Sequence, residues 1–460
     1  MAGLAAALRL AMFGREVLLL ERHYLHGGLN SFFAKAGRKF DVGLHAVTNF
    51  PPPGSRKASP LLRLCRQLRL PFDSLDLSPQ SFSRISFPHA DLRFDNDFSL
   101  FLSEIERLFP SERDRFQKLL RHMEAFDAYS PAAPSHLSAR KTLRDHLRDP
   151  LLVDMLLLPT CYYGSAIEND ADLPTFVMLF DAIFRQGLAR PYRGIRQLLD
   201  PILRRIDELG VHRRMNLGVR RLHASKGKVD RIELDNGETI RADHVVSTAG
   251  HVETQAMLTG DESAAEDEIG RITILESITC FSAQPAKLGW EETTVFYNDA
   301  PTLRYHRPTS PIEPRSGVIC IPNNYRYPAG EQLPEGQLRV TTTANPDHWN
   351  SLPEAQYLEE KEQARRSMLD TAIKQLPDGP FKQEELDRLT TYVDVFTPRT
   401  IRKFTSHSQG ALYGSPKKSR DGSTPLANLY LGGADQGYVG IVGAMLGGTA
   451  IANHRILKSG

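Results

Sequence analysis

Gly14-Arg15-Glu16-Val17-Leu18-Leu19-Leu20-Glu21 decides the fold. It reads as a turn, a fully buried strand and a carboxylate at the strand's end. Before it, Met1-Ala2-Gly3-Leu4-Ala5-Ala6-Ala7-Leu8-Arg9-Leu10-Ala11 reads as a helix of small residues packed closely on a sheet. Together they form the second half of a βαβ dinucleotide unit, in which an acid closing the second strand holds a ribose hydroxyl. Glu21 is that acid. Gly3 takes the third glycine position of G-x-G-x-x-G, where it lets the helix approach the sheet. The first strand and the other two glycines are expected upstream of Met1, so the natural coding region is expected to start earlier. A chain beginning at Met1 would lack the backbone N–H groups that cradle a pyrophosphate and would bind the dinucleotide poorly.

Segments further along supply complementary parts. Gly27-Gly28-Leu29-Asn30-Ser31 is a glycine pair followed by small polar residues, suited to close approach by a phosphate or ribityl chain. Gly37-Arg38-Lys39-Phe40-Asp41-Val42-Gly43-Leu44-His45 reads as a short strand ending in a glycine, as though backbone passed beside a flat ligand. Near the far end, Asn428-Leu429-Tyr430-Leu431-Gly432-Gly433-Ala434-Asp435 is a buried strand running into glycines and an acid. A helix of small residues, Gly437 to Gly448, follows it. Its N-terminus carries about half a positive charge. Aimed at a flavin's pyrimidine edge, it would stabilise the anion formed on reduction. Asp435 is expected to accept hydrogen bonds from ribityl or ribose hydroxyls.

These segments resemble the flavin-binding parts of the phytoene desaturase and carotenoid isomerase family, within the wider FAD-dependent, amine-oxidase-like flavoproteins. The resemblance extends through Ile85-Ser86-Phe87-Pro88, Glu104 to Pro110 and Arg190-Pro191-Tyr192-Arg193-Gly194-Ile195. It implies FAD as cofactor, held by Gly3, Glu21, Gly27, Gly28, Leu29, Asn30, Ser31, Gly433, Asp435, Gly440, Ile441, Val442 and Gly443, with the Val219 backbone beside adenine. It implies an α/β fold in which a Rossmann-like FAD-binding domain, its first strand missing, is interleaved with an α+β substrate domain.

Composition agrees. At 460 residues the chain is too long for one simple core, and 41% hydrophobic with 24% charged residues is ordinary for a globular protein. A net charge of +2 argues against nucleic acid as a main partner. Cys65, Cys161, Cys280 and Cys320 are far apart, so buried thiols are expected in place of a disulfide framework, and no metal site is expected. No segment reaches the roughly 18 apolar residues of a membrane span. A cytoplasmic protein is expected. Peripheral membrane contact stays open through Leu61 to Leu70 and Leu151 to Leu158, although a core-facing helix suits both better. The sequence leaves the oligomeric state open.

The pattern along the chain is interleaved. Residues 1–54, 206–250 and 393–460 are expected to build the FAD-binding domain, and 55–205 with 251–392 the substrate domain. Pro51-Pro52-Pro53-Gly54 is a breaker cluster at the first exit. Strand pairs are expected at Ser83–Phe87 with Asp91–Phe94, and hairpins around Lys226-Gly227-Lys228 and Asp235-Asn236-Gly237. His244 to Gly250 reads as a strand returning to the nucleotide sheet. Further strands are expected near Glu276–Gln284, Val318–Ile321 and Leu338–Thr343, with a helix from Pro353 to Gln375. Arg315-Ser316-Gly317 and Lys417 to Gly422 read as solvated loops.

The reaction expected from the resemblance is hydride transfer on a carotenoid or related isoprenoid polyene. The alternatives are a flavin-dependent reductase of a conjugated lipid, an amine oxidase, and a non-catalytic remnant without its pyrophosphate loop. The substrate is then an apolar small molecule in a tunnel lined by Phe and Leu. His45 is the candidate for proton transfer, since its ordinary pKa lies near neutrality. Tyr438 is the candidate to shape the flavin face.

Overall fold

The first helix, Ala2–Ala11, buries Leu4, Leu8 and four alanines. Small residues there let another helix come close. A Cβ on Gly448 would lie 2.1 Å from the Ala2 carbonyl oxygen, so the Gly440–Ile451 helix rests directly on the first helix's backbone. The two ends of the chain are thereby joined. This arrangement comes from a computed structural model that describes residues 1–51, 59–134, 137–376 and 383–458. The Pro52-to-Gly54 part of the breaker cluster lies outside those residues.

On the nucleotide side, strand Leu18–Glu21 pairs in parallel with His212–Met215, and Val245–Ser247 pairs in parallel with Leu429–Leu431. Among the described residues the two pairs are not hydrogen-bonded to each other. The edges of Leu18–Glu21 and Val245–Ser247 instead face one cavity. A three-stranded meander, Val219–Ser225, Lys228–Leu234 and Thr239–Ile240, lies alongside. Its first turn uses Lys226 and Gly227 at φ 49° and 75°, the left-handed geometry that a two-residue hairpin needs.

The other side is built on a seven-stranded sheet. Its order is Thr390–Phe396, Ile274–Phe281, Gly336–Thr343, Ser316–Cys320, Thr294–Asn298, Ser83–Phe87 and Ala90–Phe94. All pairings are antiparallel except that of Thr294–Asn298 with Ser83–Phe87. Side chains alternate between two cores. Phe296, Val318 and Cys320 join the cluster under helices Pro150–Gly164 and Leu173–Phe180. Val295, Tyr297, Ile319 and Val340 join the opposite cluster with Trp349, Met368 and Leu369. A strand covered on both faces shows no apolar/polar alternation, and Thr294–Asn298 had no signal in the sequence for that reason.

Several expectations change. Strand Thr390–Phe396 crosses the boundary set at 392/393 and belongs to the seven-stranded sheet, where it pairs with Ile274–Phe281. Helix Ile195–Glu208 crosses the boundary at 205/206 and packs its apolar stripe on Leu4 and Leu8, on the nucleotide side. Ser316 and Gly317 are not in a solvated loop; they open a wholly buried strand. Of the Lys417-to-Gly422 segment only Lys417 is exposed. Arg420 is buried against Asp172 at 2.7 Å, and the Lys418 ammonium donates to the Tyr413 carbonyl at 2.7 Å. Leu61 and Leu64 face the core, as do Leu152 and residues 155–158. Among the described residues no helix is long and apolar enough to cross a membrane.

Candidate functional site

One cavity of about 2680 Å³ runs between the two halves. Small-molecule pockets span roughly 300–1,000 Å³, so there is room for a dinucleotide and a second long ligand. Glu21 and Asp435, from opposite chain ends, both line it.

The glycine loop forms one wall. Gly27 sits at φ 109°, and a Cβ there would lie 2.5 Å from the Asn30 carbonyl oxygen. Gly28, Leu29, Asn30 and Ser31 all reach the cavity. The Val42 N–H donates to the Ser31 carbonyl at 2.9 Å, locking this loop to the strand that follows. Gly43 is crowded as expected, but by protein: a Cβ would lie 2.6 Å from the Leu29 carbonyl oxygen. The Ser31 hydroxyl is buried without a partner. An orphaned hydroxyl beside a glycine turn fits a phosphate or ribityl oxygen.

Glu21 ends its strand with one carboxylate oxygen accepting the His23 N–H at 2.9 Å, which leaves the other for a ribose hydroxyl. Val219 and the Val245–Ser247 strand continue the wall. Gly433, at φ 98° and ψ −139°, turns the chain where only glycine is comfortable.

Asp435 does more than its sequence suggests. One oxygen accepts the Ser415 N–H and the other the His251 N–H, both at 2.7 Å. It pins a loop and the start of helix His251–Thr259 to the last strand, with one lone pair on each oxygen left for a ligand.

Of the Gly440-to-Gly443 stretch, only Gly440 and Ile441 reach the cavity. Val442 turns away, because a helix advances about 100° per residue and carries it to the opposite face. Val442 is 1% exposed in the core, and Gly443 lies against the Tyr438 backbone. Gly3 reaches the cavity, yet a Cβ there would make only ordinary contact with Thr248 at 3.5 Å. The steric demand expected of Gly3 falls on Gly448 instead.

Tyr438 contributes a wall, and its hydroxyl donates to the Tyr129 carbonyl at 3.0 Å. His45 also faces the cavity. Its Nε2 lies 3.2 Å from Glu276 Oε2, while its Nδ1 is buried without a partner. Glu276 in turn accepts from Arg339 Nε at 2.7 Å and from the Thr341 hydroxyl at 3.2 Å. Arg339 also donates to the Val42 carbonyl at 2.7 Å. Burial opposes charge on both groups, but Arg339 and His45 hold the Glu276 carboxyl down to about 2. Burial likewise opposes the His45 cation; Cys320 and Glu276 outweigh it and lift the imidazole to about 9, against Arg339.

Sequence reasoning missed Glu276 and Arg339. The available signal was one carboxylate inside the otherwise uncharged run Ile274–Phe281, which, buried in a sheet, demands a cation across the strands. A second buried pair joins two of the quoted motifs. Arg190 Nη2 lies 2.5 Å from Asp41 Oδ2, and Asp41 Oδ1 accepts the Ile195 N–H at 3.0 Å. Gly194 is needed beside it, since a Cβ would lie 2.3 Å from Asp41 Oδ2.

Beyond His45 the walls are aromatic and apolar: Tyr162, Tyr163, Phe296, Val318 and Cys320. Phe32, Phe33, Phe296, Phe396 and Phe404 line the cavity, while other phenylalanines belong to the core, the better expectation for any single one. Phe94, Phe101, Phe116, Phe176, Phe180 and Phe184 are fully buried in the core.

Comparison with known proteins fits this geometry. The chain is 22% identical over 456 residues to prolycopene isomerase 2, chloroplastic, of an Oncidium hybrid cultivar, covering 90% of this chain and 74% of that protein. It is 24% identical over 382 residues to the hydroxyneurosporene desaturase of Cereibacter sphaeroides, covering 75% of this chain and 74% of that one. An oxidoreductase structure from Methanosarcina mazei superposes with a TM-score of 0.67 at 15% identity, covering 98% of each chain, which shows a shared fold. The family described as flavin containing amine oxidoreductase matches residues 1–454. The chain therefore belongs to the flavin containing amine oxidoreductase family, and its cofactor is FAD.

Proposed function

We propose that this chain is an FAD-dependent oxidoreductase acting by hydride transfer on a carotenoid or related isoprenoid polyene. The carrying observation is a single cavity that joins the Gly27–Ser31 loop, Glu21 and Gly433 to an apolar compartment walled by Tyr163, Phe296 and Val318. The names of the relatives, a prolycopene isomerase and a hydroxyneurosporene desaturase, support the substrate class. Bound FAD supplies the hydride donor or acceptor. The chain's own residues hold the polyene, exclude water and keep a proton at His45. That proton favours one second reading, reduction of a conjugated lipid, because desaturation needs no acid to begin whereas adding hydrogen across a double bond needs a proton.

The test is expression in hosts accumulating phytoene, prolycopene or lycopene, with pigments resolved by chromatography. Altered double-bond geometry or number is the expected outcome. Yellow, FAD-loaded protein that leaves every polyene unchanged would refute the substrate class.

A further inference from the structure

The geometry points to His45, braced by Glu276 and Arg339, as a subsite for an oxygen function on the substrate, so that the ligand is a polyene bearing a carboxylate or conjugated carbonyl. This rests on the polyene reading and narrows it.

Glu276 is already saturated by protein donors: Arg339 on Oε1, and Thr341 with His45 on Oε2. One carboxylate therefore lies between two cationic side chains. The other charged groups nearby do not restore the balance. Asp41 is committed to Arg190, whose Nη1 donates to the Leu44 carbonyl at 2.8 Å. From its remaining neighbours His45 meets Cys320 in the cavity wall and the Tyr325 hydroxyl, which donates to the His45 carbonyl at 3.1 Å.

The unfilled valence is on the ring itself. His45 Nδ1 is buried without a well-formed hydrogen bond, the weakly bonding Cys320 thiol being beside the ring, and the residue lines the cavity. A protonated imidazole has two N–H donors, and leaving one buried and unpaired is costly. Raised to about 9, His45 carries that second proton at neutral pH. The adjoining walls include the apolar Phe296 and Val318, and the other polar groups there are neutral hydroxyls, those of Tyr163, Tyr413 and Thr294 among them. An apolar chain ending in an oxygen acceptor satisfies both surfaces. A plain hydrocarbon would leave the donor stranded.

The experiment titrates the full-length, FAD-loaded protein with retinoic acid, its methyl ester and a polyene hydrocarbon of matching length, following the polyene absorption band. The acid is expected to bind at least about tenfold more tightly than the hydrocarbon, as a charge-assisted hydrogen bond allows, with the ester between them. That margin should fade as pH rises past 9 and shrink at least about threefold in His45→Phe. Equal affinities in the unaltered protein would overturn the subsite yet leave the polyene reading standing. Failure of all three to bind would overturn both. If His45→Phe shifts the flavin spectrum while the preference for acid persists, the anion served is the flavin's own pyrimidine edge and the substrate assignment falls.

Discussion

Replacing Asp41 with Asn tests the junction that holds the two halves together. The change keeps volume and an oxygen that can still accept the Ile195 N–H, so the start of helix Ile195–Glu208 stays capped. What it removes is the countercharge of Arg190, in a pair whose side chains are only 7% and 5% exposed. Stranding one partner of such a pair costs about 3–5 kcal/mol. With about 2.1 cal/mol/K of unfolding entropy per residue, a chain of 460 residues loses about 1 °C of Tm per kcal/mol. The expected drop is therefore about 3–5 °C by calorimetry, with a matching loss in urea. Adding Arg190→Met removes the stranded charge and should recover at least about half of it. The reasoning fails if Asp41→Asn costs under about 1 kcal/mol, or if the double variant is as unstable as the single one plus the cost of Arg190→Met alone.

Three further outcomes follow from the site. The His45–Glu276 pair gives stability two pH limits. Glu276 is depressed from 4.5 to about 2, so its contribution is present above 4.5 and lost as pH falls toward 2. His45 is raised from 6.5 to about 9, so its contribution is full below 6.5 and lost as pH climbs toward 9. Melting curves across pH should show both slopes, and Glu276→Gln should flatten them. Gly448→Val forces a side chain into the Ala2 backbone and should cost about 3 kcal/mol or more, whereas Gly440→Ala, with nothing within 4 Å, should cost only about 1–2 kcal/mol for its left-handed φ of 71°; the urea midpoints should fall in that order. Glu21→Ala should weaken FAD binding by roughly 10–100-fold, the worth of a hydrogen bond to a charged group, measured by flavin fluorescence, with little change in melting temperature of the flavin-free protein.

Much of the fold could be read from local patterns. Strand Leu18–Glu21, the hairpin at Lys226–Gly227 and helix Glu354–Gln375 each announce themselves through composition or turn residues. Glu21 and Gly27 could be placed as cavity residues because their neighbours along the chain define the motif. Glu276, Arg339 and the Asp41–Arg190 pair could not, because their meaning comes from partners 63 to 297 residues away. Arg420 illustrates the opposite error. It stands in a basic, glycine-containing run that looks solvated, yet Asp172, 248 residues earlier, draws it inside. The resemblance places Val442 and Gly443 at the ligand, but helical rotation carries Val442 into the core and the Tyr438 backbone covers Gly443.

The seven-stranded sheet separates two kinds of neighbour along one strand. Thr294, Phe296, Val318 and Cys320 look toward the ligand compartment, while Val295, Tyr297 and Ile319, one position away in sequence, look into the opposite core. Selection can therefore reshape what the enzyme accepts by altering every other residue, without disturbing the layer that supports the sheet. Because Phe296, Val318 and Cys320 also pack under helix Pro150–Gly164, a library of residues of similar volume at the first set should yield folded proteins with shifted preferences, whereas the same diversity at the second should alter stability without shifting them.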